Sequence, residues 1–153
     1  MGKKLSIFTV IFILIDQIIK CIITNSLNLY QNVIVIKNFF SITLVHNTGA
    51  AFSILSDNVY LLITISMIAL VLIYYFLIRG NILKKIDVII YCLLIGGIIG
   101  NLIDRIIFGY VIDYLSFKIF NYNFPIFNLA DIGIVVSVFL MIIKTFKEEV
   151  CKR

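Results

Sequence analysis

The stretch Val59-Tyr-Leu-Leu-Ile-Thr-Ile-Ser-Met-Ile-Ala-Leu-Val-Leu-Ile-Tyr-Tyr-Phe-Leu-Ile78 runs for 20 residues without a charge. Coiled as an α-helix, it is about as long as the hydrocarbon core of a bilayer is thick, roughly 30 Å. Three more stretches read the same way, at 5–24, 86–106 and 126–145. The first is interrupted by Asp16 and Lys20, the third ends in a polar cluster around Asn101, and the fourth carries Asp131 near its start. With 62% hydrophobic residues in 153, the chain has far more apolar surface than a soluble core of this size could bury. The expectation is an all-α membrane protein: four transmembrane helices in a single polytopic domain over residues 1–153.

The net charge of +5 could suggest nucleic-acid binding, but the placement of the charges argues against it. Nine of the thirteen basic residues flank the spans on one side: Lys3, Lys4, Arg79, Lys84, Lys85, Lys144, Lys147, Lys152 and Arg153. Cytoplasmic loops carry such an excess, so both termini and the 79–87 loop are expected in the cytoplasm, with 25–58 and 104–125 facing outward. The start, Met-Gly-Lys-Lys followed by an apolar run, has the shape of a signal peptide without a small-residue cleavage site, and is expected to remain as the first span. Cys21, Cys92 and Cys151 are far apart and His46 is the sole histidine. That pattern offers no metal framework, so neither metal nor cofactor is expected.

Between the first two spans, Val33 to His46 is rich in β-branched and aromatic residues and is broken at Lys37-Asn38. Two short antiparallel strands fit it, forming a small extracytoplasmic β-cradle on the membrane between the first and second helices. The 106–124 segment, aromatic and polar by turns, reads as an interfacial loop, with Pro125 marking re-entry into the fourth span. Gly96 and Gly100 form a GxxxG, a spacing that lets helices pack closely in lipid.

Carboxylates at a membrane boundary need a partner or a proton. Asp16 and Lys20 lie four apart on one helical face, as an interior ion pair or as a polar contact to substrate. Asn101 and Arg105 lie one turn apart at the outer end of the third span; Asn128 and Asp131 share a face of the fourth. The topology lets Asp113 and Asp131 become neighbours. Two close, poorly hydrated carboxyls cannot both ionise cheaply, so one could act as general base on a water while the other, protonated, polarises a carbonyl. Asn47, Asn101, Arg105 and Asn128 would supply charge and hydrogen bonds to such a pair. The residues alone also allow two unrelated carboxylates, one paired with Arg105 and one capping the fourth helix, or the acidic groups of a proton-coupled transporter. Serine-hydrolase and phosphate-binding motifs are absent from the sequence.

Five blocks in order, Asp16-Gln-Ile-Ile-Lys20, Asn47-Thr-Gly-Ala-Ala-Phe52, Gly96-Gly-Ile-Ile-Gly-Asn-Leu-Ile-Asp-Arg105, Val111-Ile-Asp113-Tyr114 and Phe127-Asn-Leu-Ala-Asp131-Ile132, make the chain resemble lipoprotein signal peptidase, the bacterial signal peptidase II family. The resemblance implies an aspartyl dyad of Asp113 and Asp131 near the outer face of the bacterial cytoplasmic membrane. Asn47, Gly49, Asn101, Arg105, Asn128 and Ala130 would line or support it, with Asp16 and Lys20 as nearby polar contacts and Asp104 more structural. Tyr114 and His46 depart mildly from the residues commoner in the family. The implied reaction is cleavage of diacylglyceryl-modified prolipoproteins before the modified cysteine. Membrane lipids and globomycin-type inhibitors are the implied further partners, and the protein would act as a monomer.

Overall fold

The computed structural model describes residues 2–49, 58–120 and 122–150. Residues 50–52 of the 47–52 motif, together with Cys151, Lys152 and Arg153, lie outside the described residues. Among the described residues, four helices are long and apolar enough to cross a membrane. They are α1 (Gly2–Ser26), α2 (Val59–Leu72, continued to Ile78 as a π-helix), α3 (Lys85–Phe108) and α4 (Leu129–Val150). Each overlaps its expected span within a few residues.

The apolar residues of α2 point outward on nearly every side, and only Leu62 is buried. Hydrocarbon is the one solvent that suits such a helix. By contrast, α3 is the central helix, with α1 and α4 packed along it and α2 against it. One end of the bundle is an apolar plug in which Leu5, Leu83, Val88, Ile90 and Tyr91 meet Leu77 and Leu140. The start of α1, the end of α2, the start of α3 and the end of α4 are therefore together. Lys144 to Asp87 (2.6 Å) and Lys84 to Glu148 (3.1 Å) tie α3 to α4 at the same end.

At the other end of the bundle the helices carry polar groups, and close approach there depends on glycine. A Cβ at Gly97 would stand 2.5 Å from the Ala130 carbonyl oxygen; one at Gly100 would stand 2.7 Å from Asp16 Oδ2. The Ala130 carbonyl is backbone and cannot yield without separating α3 from α4. Gly97→Ala is therefore expected to destabilise the fold by about 1–3 kcal/mol. The check is the midpoint of thermal unfolding in detergent, and an unshifted midpoint would contradict the contact.

The sheet has four antiparallel strands in the order β1 (Asn32–Ile36), β2 (Phe40–Asn47), β3 (Val111–Ile119) and β4 (Tyr122–Asn123). The expected hairpin of β1 and β2 is present, and Asn38 turns it at φ +60°, a conformation asparagine tolerates better than most residues. The 106–124 segment is not the expected interfacial loop. Nine of its residues form β3, so the sheet is built from both connections and not only from the one between the first two helices. Partnering decides this: Val111–Ile119 is rich in β-branched and aromatic residues, and β2 supplies the backbone groups that complete its ladder. One extra residue in β2 between Ile42 and Val45 shifts the register, leaving Val45 opposite Asp113 and Asn47 opposite Val111.

Candidate active site

Asp113, on β3, and Asp131, in the first turn of α4, line one cavity of about 920 Å³. Its apolar walls come from α2 (Leu62, Ile65) and α4 (Ile132, Val135), and its polar floor includes Asn47, Asn101 and Arg105. Asp113 is only 2% exposed.

Each carboxylate is held by a different set of donors. Asn47 Nδ2 donates to Asp113 Oδ2 (2.8 Å), and Asn128 Nδ2 donates to Asp113 Oδ1 (2.7 Å). For Asp131, Asn101 Nδ2 donates to Oδ1 (2.7 Å) and the Asn128 backbone N–H donates to Oδ2 (3.2 Å). Burial pushes the Asp113 carboxyl up to about 7, and the negative charge of Asp131 pushes the same way. The bonds from Asn47 and Asn128 and the charge of Lys20 oppose that rise without cancelling it.

Asn128 is the N-cap of α4. Its side-chain oxygen accepts the Asp131 N–H (3.0 Å), and the Asp131 carboxylate accepts the Asn128 N–H in return, a reciprocal capping box. The other free amides of this turn have partners as well. Leu129 N–H donates to the Tyr114 hydroxyl (3.3 Å), and Ala130 N–H donates to Asp16 Oδ1 (3.0 Å). A helix start buried in protein needs all of these, because unpaired amides there are costly. Burial pushes the Tyr114 phenol up to about 12, so its hydroxyl stays neutral in this role.

Arg105 does not form the ion pair with Asp113 that the residues alone allowed. Its Nη2 donates to the Gly49 carbonyl (3.0 Å), and Gly49 N–H in turn donates to Asn47 Oδ1 (2.9 Å), which orients the Asn47 amide. Asp131 does cap the fourth helix, as the alternative reading allowed, yet it also faces the cavity. Ala130 is fully buried at the α3–α4 contact. Asp16 and Lys20 are 0% and 1% exposed and do not line the cavity. They form an ion pair (2.9 Å) behind it, and Lys20 also binds Asp104 (2.8 Å).

Asp104, expected to be structural, is held inside this cluster and does not border the cavity. Two roles were not expected from sequence: that of Gln17, whose Nε2 donates to Asp104 Oδ1 (3.0 Å) and to the Gly100 carbonyl (3.2 Å), and that of the Tyr114 hydroxyl as an acceptor for α4. A polar side chain within an apolar span was the available signal for Gln17; nothing local pointed to the bond that Tyr114 makes. His46 stacks on Tyr110 with ring centroids 3.8 Å apart, and burial lowers its pKa, so it is a neutral ring at the cavity edge.

Residues 8–147 match the family model described as signal peptidase (SPase) II. A lipoprotein signal peptidase of Halothermothrix orenii is 41% identical over 145 residues, covering 94% of this chain and 95% of the relative. One from Clostridium tetani is 40% identical over 144 residues, covering 94% and 92%. A bacterial membrane enzyme solved at 2.3 Å resolution superposes with a TM-score of 0.90 at 34% identity, over 100% of this chain and 93% of the other. A second, solved at 1.9 Å, gives 0.84 at 35% identity, over 96% and 94%. The chain belongs to the signal peptidase II family, the bacterial lipoprotein signal peptidases, and is a membrane protease.

Proposed function

We propose that this peptidase is an aspartic endopeptidase whose catalytic pair is Asp113 and Asp131, and that it cuts prolipoproteins before a diacylglyceryl-modified cysteine. The observation that carries the reading is the cavity in which two carboxylates, each held by its own donors, face one space with apolar helical walls. Asp113, with a carboxyl that titrates near 7, is the acid of the pair; Asp131 is the base. Asp131 takes a proton from a water whose oxygen attacks the scissile carbonyl, while Asp113 gives its proton to the carbonyl oxygen. Collapse of the tetrahedral adduct returns a proton to Asp113 and breaks the C–N bond, with the other proton going to the leaving nitrogen. The products are a signal peptide ending in a carboxyl and a lipidated cysteine with a free amino group.

The apolar faces of α2 and α4 suit a substrate whose acyl chains stay in the bilayer beside the helices. Lys3, Lys4, Arg79, Lys84, Lys85, Lys144 and Lys147 lie at one end of the bundle, which supports cytoplasmic termini and a site and sheet toward the outer face of the membrane.

The test is cleavage in detergent micelles of a synthetic prolipoprotein peptide with and without diacylglyceryl on its cysteine, with the cut located by mass spectrometry. A cut before the lipidated cysteine, with the unmodified peptide left intact, is expected. Equal cleavage of both peptides would remove the lipid from the proposal, and cleavage elsewhere would remove the site.

A further inference from the structure

We propose that the buried Asp16–Lys20–Asp104 cluster is a positioning clamp that sets the placement of the two candidate catalytic aspartates relative to each other. This rests on the dyad reading above. The carrying observation is a matched pair of backbone bonds. Asp104 Oδ2 accepts the N–H of Ile112, the residue before Asp113 (3.1 Å). Asp16 Oδ1 accepts the N–H of Ala130, the residue before Asp131 (3.0 Å). Each non-lining carboxylate thus holds the chain one residue ahead of a lining one, and Lys20 bridges both carboxylates at 2.9 and 2.8 Å.

Lys20 has a third bond, in which its Nζ donates to Asn101 Oδ1 (3.1 Å). An ammonium has three donors and no acceptor, and all three have partners here. Because only the oxygen end of the Asn101 amide can face Lys20, the NH2 end is turned to Asp131 Oδ1. Asn128 Nδ2 donates to the same Asn101 oxygen (3.0 Å) while reaching Asp113. One buried cation therefore joins α1, α3, α4 and β3 and dictates which way a carboxamide presents itself to the dyad. The cluster has two acids for one base, and Gln17 Nε2, donating to both Asp16 (3.3 Å) and Asp104 (3.0 Å), helps to solvate the excess negative charge. None of Asp16, Lys20 and Asp104 borders the cavity, so they act through the groups they hold.

The full chain is purified in detergent, its folding checked by thermal melting, and its kinetics measured on a diacylglyceryl prolipoprotein peptide. Lys20→Met keeps both dyad carboxyls, and kcat is expected to fall about 10²-fold, the effect of displacing reacting groups by an ångström, with KM little changed. Asp104→Asn leaves an oxygen facing Ile112 N–H and Lys20, whereas Asp104→Ser is too short to reach. The asparagine is therefore expected to recover most of the kcat that the serine loses. Folded Lys20→Met with the parental kcat, or a loss expressed in KM instead, would overturn the clamp. So would equal rates for the two Asp104 variants, which decide the matter alone if Lys20→Met does not fold. The dyad reading fails by a different result, retained cleavage in Asp113→Asn or Asp131→Asn.

Discussion

Asp113→Asn is expected to abolish cleavage of a diacylglyceryl prolipoprotein, a loss of about 10⁴-fold, the upper range for a positioned acid or base. The side chain keeps its size and polarity, so the cavity and the sheet register should persist. What disappears is a proton that can be given to the carbonyl and recovered. The same variant should alter stability in the opposite sense. The folded state holds the Asp113 proton up to about pH 7, while the unfolded chain releases it near the ordinary value of 3.8. Between those limits the folded state binds more protons, so the parent loses stability as pH rises, by up to about 4 kcal/mol, and nothing is lost below pH 3.8. An asparagine does not titrate, so the variant's unfolding free energy should lack that fall. Denaturant unfolding at pH 4 and pH 8 checks it, and parallel curves for parent and variant would refute it.

Asn128→Leu is expected to lower stability and activity together. Asn128 is fully buried and serves three groups at once: the α4 cap, Asp113 and Asn101. Loss of the cap costs about 1 kcal/mol, and the buried groups left without a partner cost about 1–3 kcal/mol more. The unsupported Asp113 carboxyl should lower kcat by about 10²–10³-fold, the range for loss of one preorganised donor. Asn128→Ser separates the two roles. Serine caps a helix but cannot reach Asp113, so it should recover the cap's share of stability and little of the activity. A serine variant with full activity would show that the bond to Asp113 is not needed.

The four spans were legible because hydrocarbon length and freedom from charge are properties of single segments, and Val59–Ile78 needs no partner to be read. The β1–β2 hairpin was legible for the same local reason, with Asn38 as its turn residue. β3 was not, because its identity depends on pairing with β2, more than sixty residues earlier in the chain. At the site, Asp16 and Lys20 were readable as an i, i+4 pair, but the third member, Asp104, joins only when α1 packs on α3. The Arg105–Asp113 pairing that spacing allowed does not form, since the guanidinium is turned to the Gly49 carbonyl instead. Tyr114 departs from the residue commoner at this position in the family, but that departure does not say what its hydroxyl bonds. Its hydroxyl satisfies the first amide of α4, a demand that only the tertiary structure creates.

If Asp113 and Asp131 work as one acid and one base, the pH dependence of kcat for the unaltered protein carries the signature of both groups. With Asp113 as the protonated member, kcat should fall as pH rises through about 7, where that proton is lost, and should fall again in acid once Asp131 is protonated. A bell with its alkaline limb near pH 7 is the predicted result. A kcat that stays constant from pH 5 to pH 9, on the order of two units either side of that limb, would rule out an acid–base pair of these two aspartates.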